Sequence, residues 1–178
     1  DFFNNMYTDE AVREKYQLRD TRGWKLSTIR QLSNYEKVAK FISPYLFRPF
    51  DRRWTAITTD VIDWPRSDVM SCIDVDHCAL LSSRQQSTVG FRHVFVIDAP
   101  VDMFCISNKS REGQTAFPLY VKLSTNFFSG VVGQNWSANI SQEFSETLFS
   151  QKGSGNFNNK YEGTDRAQVA FDYIYAVL

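Results

Sequence analysis

The chain has 178 residues, of which 43% are hydrophobic and 22% charged, proportions that suit one globular domain with a sizeable core. Twenty basic and twenty acidic side chains cancel, so the chain lacks the positive field of a freestanding nucleic-acid binder. Three cysteines, an odd number, favour reduced thiols and a cytoplasmic protein over a disulfide framework. The sequence contains no signal peptide and no apolar run of membrane-spanning length.

The first 40 residues are predicted to form an N-terminal helical segment. Thr8 or Asp9 can cap a helix that ends near Gln17, because their side-chain oxygens accept hydrogen bonds from the first free backbone amides. A second helix is predicted over residues 25–32, where apolar residues recur at helical spacing. Residues 1–40 are therefore assigned to this segment.

From residue 41 the pattern changes to short β-branched and aromatic segments separated by turn residues, which is typical of strands. Short helices are predicted after Ser67 and after Asn139 or Ser141. We assign residues 41–150 to one β-rich core. The predicted strands are residues 41–42, 45–47, 54–59, 78–83, 93–98, 103–106 and 117–123.

The C-terminal part is predicted to be a loop followed by a helix. Residues 124–137 and 150–164 are rich in Ser, Asn, Gly and Gln and are predicted as loops, with 151–164 as a flexible connection. Asp165 can cap a last helix over 165–178, which ends inside an apolar run and is expected to be truncated. Together these elements predict an α+β fold, with a mixed, mainly antiparallel sheet and helices at the N- and C-terminal ends.

Metal-dependent chemistry is not favoured by the sequence. Cys72, His77 and Cys78 could supply zinc ligands, but they lack the paired Cys-x-x-Cys spacing of a four-ligand site, so buried free cysteines are the better interpretation. Aspartates occur between residues 60 and 76, yet no Glu/Asp-x-Lys pattern of a nuclease follows them. We therefore predict no metal site and no catalytic residue in this chain.

Three polar turns carry the side-chain types that contact nucleic acids. Arg and Lys suit guanine and phosphate, whereas Asn and Gln suit adenine. The turn at 83–87 has the densest set of such groups, and the turns at 108–111 and 134–136 are the other two; each can also be solvated surface. The candidate DNA-binding residues are Arg66, Arg84, Gln85, Gln86, Arg92, Lys109, Arg111 and Asn135.

A set of sequence phrases in fixed order carries a family resemblance. They are YLFRPFD at 45–51, RW at 53–54, WPR at 64–66, VM at 69–70, SRQQ at 83–86, HVFV at 93–96, FPLY at 117–120 and YIYAVL at 173–178. In that order the chain resembles the C-terminal target recognition, or specificity, domain of bacterial restriction–modification enzymes of the type ISP or type IIG kind. Such enzymes fuse this domain to an adenine-N6 DNA methyltransferase. The chain, which begins without Met, is accordingly expected to be a piece of a longer protein.

The resemblance implies sequence-specific recognition of double-stranded DNA, with an upstream methyltransferase domain of the same polypeptide as the second partner. S-adenosylmethionine is expected in the parent protein and no cofactor in this chain, which lacks both a glycine-rich cofactor turn and an Asn/Asp-Pro-Pro-Tyr/Phe adenine pocket. An endonuclease can accompany the methyltransferase in such proteins. Two alternatives remain open, namely a non-catalytic assembly domain of the same enzyme and an aromatic-rich carbohydrate-binding module. A line of exposed tryptophans would favour the latter.

The phrase around Pro49 and Phe50 is predicted to be structural. Arg48, Asp51 and Trp54 flank it, and an Arg–Asp pair beside a buried Phe and Trp can lock a strand crossing. We therefore expect substitutions of Arg48 and Trp54 to harm folding more than recognition.

Overall fold

A computed structural model describes residues 2–87, 89–90, 93–109, 111–123, 136–150 and 165–178 of the chain. The helices in these ranges are α1 (Asp9–Tyr16), α2 (Leu26–Leu32), α3 (Tyr35–Ala39), α4 (Ser67–Met70), α5 (Gln142–Ser150) and α6 (Arg166–Val177). The strands are β1 (Ile42–Arg48), β2 (Asp51–Ala56), β3 (Ala79–Ser83), β4 (Val94–Ile97), β5 (Gln114–Pro118), β6 (Tyr120–Lys122) and β7 (Trp136–Ala138). None of the helices in these ranges is both long and apolar enough to cross a membrane.

The strands form three small antiparallel sheets, in the orders β1-β2, β4-β3-β5 and β6-β7. A single parallel bridge between Leu46 and Val101 links the β1–β2 hairpin to the segment that follows β4. The predicted α+β class, the mainly antiparallel pairing and the helices at both chain ends are confirmed.

The first three residues of the central strand β3 are apolar and buried, with side chains on both faces of the sheet. On one face Leu81 packs in a cluster with Leu46 of the hairpin and Cys105. On the other face Leu80 packs against Phe171 of α6. The final helix therefore covers one side of the sheet and the hairpin covers the other.

Side-chain caps begin α1 and α6, as predicted. Thr8 Oγ1 accepts a hydrogen bond from the Ala11 amide at 3.2 Å, and Asp165 Oδ1 accepts one from Ala167 at 2.9 Å. The predicted cap at Ser67 is wrong, because Ser67 is already the first helical residue and the preceding Arg66 adopts a left-handed conformation without a capping side-chain bond.

The predictions for two short segments are also wrong. The apolar segment 103–106 forms a turn, since Asp102 accepts a hydrogen bond from the Phe104 amide at 2.8 Å, and this local bonding outcompetes strand pairing. Residues 136–137, predicted as loop, belong to β7, which pairs with β6. Residue 150, also predicted as loop, is the last residue of α5, and the rest of the two predicted loops, 124–135 and 151–164, lies outside the described residues.

The hairpin differs from its prediction in what it buries. Trp54 is 73% exposed and Phe50, which has a positive φ of 67° in the turn, is 95% exposed, so the expected buried aromatic pair is wrong. Arg48 does lock the hairpin, but its partner is Asp102, at 3.2 Å. The Tyr45 hydroxyl donates to the same carboxylate at 2.8 Å, and burial, together with this carboxylate, raises the pKa of Tyr45.

Candidate nucleic-acid interface

Two of the predicted polar turns emerge from the same end of the central sheet. The apolar run of β3 ends at Leu81 and the strand itself ends at Ser83. Ser83 pairs with Gln114, the first residue of β5. Because β3 and β5 are antiparallel, the residues after Ser83 and those before Gln114 meet at this end. We call residues 83–87 the first loop and the described residues of 107–112, which exclude Ser110, the second loop.

Glu112 of the second loop connects the two loops. Its Oε1 accepts a hydrogen bond from the Ser87 amide at 2.7 Å and another from the Ser87 hydroxyl. Its Oε2 accepts from the Ser107 hydroxyl at 2.6 Å. Lys109 Nζ lies 3.8 Å from Oε1 and donates to Ser87 Oγ at 2.7 Å. These contacts join the loops across 25 residues of sequence.

The environment of Glu112 keeps its carboxyl group ionised. Hydrogen bonds from Ser107 and from the hydroxyl and amide of Ser87 lower the pKa of Glu112 to about 2, and the Lys109 ammonium group acts in the same direction. The side chain is buried, with 6% of the residue exposed. Satisfied hydrogen bonds are what allow a carboxylate to be buried in its charged form.

The two loops border a cleft of about 550 Å³ and present basic groups to solvent. Arg84 and Arg111 are exposed, and neither forms a hydrogen bond or ion pair with another described residue. Two guanidinium groups that have no partner among the described residues, beside exposed amides, can donate to guanine O6 and N7 or to phosphate oxygens. The cleft is lined by Gln85, Gln86, Ser87, Lys109, Arg111 and Glu112.

The structure thus brings five of the predicted site residues together, namely Arg84, Gln85, Gln86, Lys109 and Arg111. Arg66 lies at the start of α4, with its guanidinium group 5.3 Å from the centre of the Trp64 ring. No recorded contact among the described residues joins it to the two loops. Arg92 and Asn135 lie outside the described residues.

The three cysteines and His77 include the candidate zinc ligands of the sequence. Cys72 and Cys105 are buried and Cys78 is half-buried, all as free thiols, and burial raises the pKa of Cys105 to about 11. His77 pairs with Asp74 at 2.8 Å and stacks on Trp136 at a ring distance of 3.9 Å. Within the described ranges no three His, Cys, Asp or Glu side chains cluster as metal ligands would.

The tryptophans do not form one exposed line. Trp24 is buried in the cluster of the N-terminal helices, and Trp136 is half-buried beneath His77. Trp54 and Trp64 are exposed, but they lie on the hairpin and before α4. This arrangement lacks the continuous aromatic platform on which the carbohydrate-binding alternative depends.

Sequence reasoning missed Glu112 and its partner Ser107. An acidic residue directly after Arg111 in an otherwise basic turn was the available signal, because such a residue either repels nucleic acid or has an internal partner. The partner itself, Ser87, could not be identified without the pairing of β3 with β5.

Comparisons with known proteins place the chain by its sequence family. Neither the curated proteins nor the solved structures include a match to it. The family model described as the Type ISP C-terminal specificity domain matches residues 1–178, the whole of the chain, which therefore belongs to this family.

Proposed function

We propose that this chain recognises a specific sequence of double-stranded DNA as the target recognition domain of a restriction–modification enzyme that methylates adenine at N6. Family membership supports target recognition in a restriction–modification enzyme. The observation that carries the DNA assignment is the joined pair of loops, where Arg84 and Arg111 have no partner among the described residues and face solvent beside Gln85.

The proposed contacts are of three kinds. Arg84 and Arg111 are the candidates for bidentate contacts to guanine, because a guanidinium group matches the O6 and N7 acceptors of its major-groove edge. Gln85 and Gln86 carry the carboxamide group that matches adenine N6 and N7. Lys109 bonds to Ser87 within the loop pair, so it is a candidate for phosphate contact and for holding the loops together.

Catalysis belongs to other parts of the polypeptide in this proposal. An upstream methyltransferase domain would bind S-adenosylmethionine and the target adenine, and an endonuclease domain can accompany it. The support is the lack, in this sequence, of a glycine-rich strand-to-helix turn with a following helix and of an adenine-pocket motif. The role of this chain is then to position the enzyme on its target site.

A binding selection tests the proposal directly. The full-length protein is mixed with a pool of duplexes that have a randomised central segment, and the bound fraction is sequenced. We expect the wild-type protein to enrich one sequence, and Arg84→Ala and Arg111→Ala each to relax the preference at particular positions by ~1–3 kcal/mol.

Arg53→Ala is the matched control for this selection. It removes the same charge from an exposed arginine, but one that already pairs with Asp51 at 2.7 Å on the hairpin. We expect its selected sequence to be that of the wild type. Failure of the wild-type protein to enrich any sequence, or unchanged profiles for both loop variants, would contradict the proposed site.

A second candidate function is assembly, in which the domain packs on the rest of the enzyme. The exposed aromatic side chains of the hairpin favour it, because Phe50 combines high exposure with a backbone conformation that non-glycine residues rarely adopt. The two functions involve different regions of the chain, so one domain can perform both.

A further inference from the structure

Glu112 differs from the other acidic residues of the chain. It is the only carboxylate that is buried within the ranges that the structure describes, and the ammonium group of Lys109 lies 3.8 Å from it. Burial of a charged carboxylate is unfavourable unless several donors satisfy it. The donors that satisfy it here come from both loops, so the side chain of Glu112 also connects the two loops.

The two oxygens of Glu112 have different partners. Oε1 binds Ser87 of the first loop through both its amide and its hydroxyl, whereas Oε2 binds Ser107 at the start of the second loop. The Glu112 amide also donates to the Lys109 carbonyl at 3.0 Å, which closes the second loop on itself. The carboxylate therefore fixes the shape of the second loop and its distance from the first loop at the same time.

That distance matters for base reading. Arg84 belongs to the first loop and Arg111 to the second, and each can make a bidentate contact only when its guanidinium group lies in the plane of a base edge. Base pairs are regularly spaced along the duplex, so two such contacts at once require a fixed distance between the two guanidinium groups. Productive geometry of this kind is held within about 0.5 Å by groups that do not touch the ligand themselves.

We propose that Glu112 is the positioning residue that sets the register of the two loops on duplex DNA, so that Arg84 and Arg111 read their bases together. The inference rests on the proposed function. It assigns to Glu112 no contact with DNA, and it makes the reach of the side chain, rather than its charge alone, the property that matters.

The test uses the same full-length protein and the same pool of randomised duplexes. Glu112→Ala should relax the positions that Arg84→Ala relaxes together with those that Arg111→Ala relaxes, each by about fivefold or more. Affinity for a duplex without the target sequence should remain within about threefold of wild type, because phosphate contacts do not depend on the register of base contacts.

Two conservative variants separate reach from charge and keep the test valid if Glu112→Ala does not fold. Glu112→Gln retains the length and an acceptor oxygen for Ser87, and its amide group can donate to the Ser107 hydroxyl. Glu112→Asp retains the charge but is one methylene group shorter, so it cannot bridge both loops. We expect the Gln variant to keep most of the wild-type discrimination and the Asp variant to lose it.

The outcomes distinguish this inference from the function on which it rests. If the two arginine variants relax the profile while Glu112→Ala and Glu112→Asp leave it sharp, the positioning role is wrong and the proposed function stands. A uniform loss of affinity and a lower melting temperature without relaxed positions would likewise reduce Glu112 to a structural group. If the arginine variants have no effect, the proposed site is wrong and this inference with it.

Discussion

The β1–β2 hairpin and the loop pair both contain arginine residues, but the surroundings of these arginines are opposite. In the hairpin Arg48, Arg52 and Arg53 pair with Asp102, Asp98 and Asp51 respectively. The guanidinium groups of Arg48 and Arg53 also lie 4.0 and 3.9 Å from the centre of the Phe47 ring. In the loop pair Arg84 and Arg111 have no such partner among the described residues. The acid beside them, Glu112, bonds to serines and to Lys109.

In the proposed function, this difference is what allows a chain with no net charge to bind a polyanion. An arginine that already pairs with a carboxylate contributes little field and few free donors, whereas an unpaired one keeps both. The hairpin uses its arginines to hold strands together, and the loop pair leaves them available. The comparison predicts that substitutions in the hairpin change stability and that substitutions in the loop pair change recognition.

The largest effect on stability is expected for Asp102→Ala. This carboxylate accepts from Tyr45, from the Phe104 amide and from Arg48, and it is partly buried, so its removal leaves three donors without their acceptor. We expect the free energy of unfolding to fall by ~2–4 kcal/mol, measured by denaturant unfolding.

Asp51→Ala is the matched control for this prediction. Asp51 also pairs with a hairpin arginine, but both side chains are exposed and no second donor depends on it among the described residues. Exposed ion pairs add little stability, so its unfolding curve should nearly coincide with that of wild type. Equal destabilisation by the two variants would show that burial of the Asp102 network is not what stabilises the hairpin.

Local signals in the sequence predicted most of the fold. The caps at Thr8 and Asp165 were found because a cap and the amide it binds are two or three residues apart. Strand β3 was found because an uninterrupted apolar run stands between polar turns. Strand β7 was missed because three residues are too few to show alternation. The segment 103–106 was mistaken for a strand because the effect of Asp102 on its backbone cannot be seen in hydrophobicity.

The candidate site was predictable in its residue types but not in its arrangement. Exposed polar turns identified Arg84 and Arg111, since turns at strand ends are exposed in most folds. Their proximity depends on the register of β3 with β5, and the role of Glu112 depends on a contact with Ser87 across 25 residues. Contacts of this kind come from tertiary structure, which local patterns do not encode.

A smaller effect is expected in the pH dependence of stability. The pKa of Glu112 is about 2 in the folded chain and near 4.5 without these contacts, so the carboxylate adds stability that is complete above pH 4.5. This contribution is lost as the pH falls towards 2. The charged group that faces this carboxylate is Lys109, whose Nζ lies 3.8 Å from Oε1.

Glu112→Gln should therefore have a flatter pH profile than wild type. Between pH 4.5 and 2, the decrease in the free energy of unfolding should be smaller in the variant, as measured by denaturant unfolding at a series of pH values. Asp20→Asn provides a comparison, since the pKa of Asp20 is also lowered, by hydrogen bonds from Arg13 and the Leu26 amide far from the loops. Identical slopes for wild type and Glu112→Gln would mean that the carboxylate does not bind the two loops in its charged form.

Only a small effect on stability is expected for Trp54→Ala in the hairpin. A buried tryptophan costs ~3–5 kcal/mol when it is truncated, but Trp54 is 73% exposed and faces Pro44 across the strand pair. We therefore expect a change of no more than ~0.5 kcal/mol in the free energy of unfolding of the full-length protein, measured by thermal or denaturant unfolding.

If the hairpin packs on another part of the enzyme, Trp54→Ala should weaken that contact between the two domains. Limited proteolysis would then release this domain faster, while the selected DNA sequence stays that of wild type. A decrease of several kcal/mol in the free energy of unfolding would mean that Trp54 is buried in the full-length protein. A changed DNA sequence would move the recognition surface to the hairpin, where every arginine is paired.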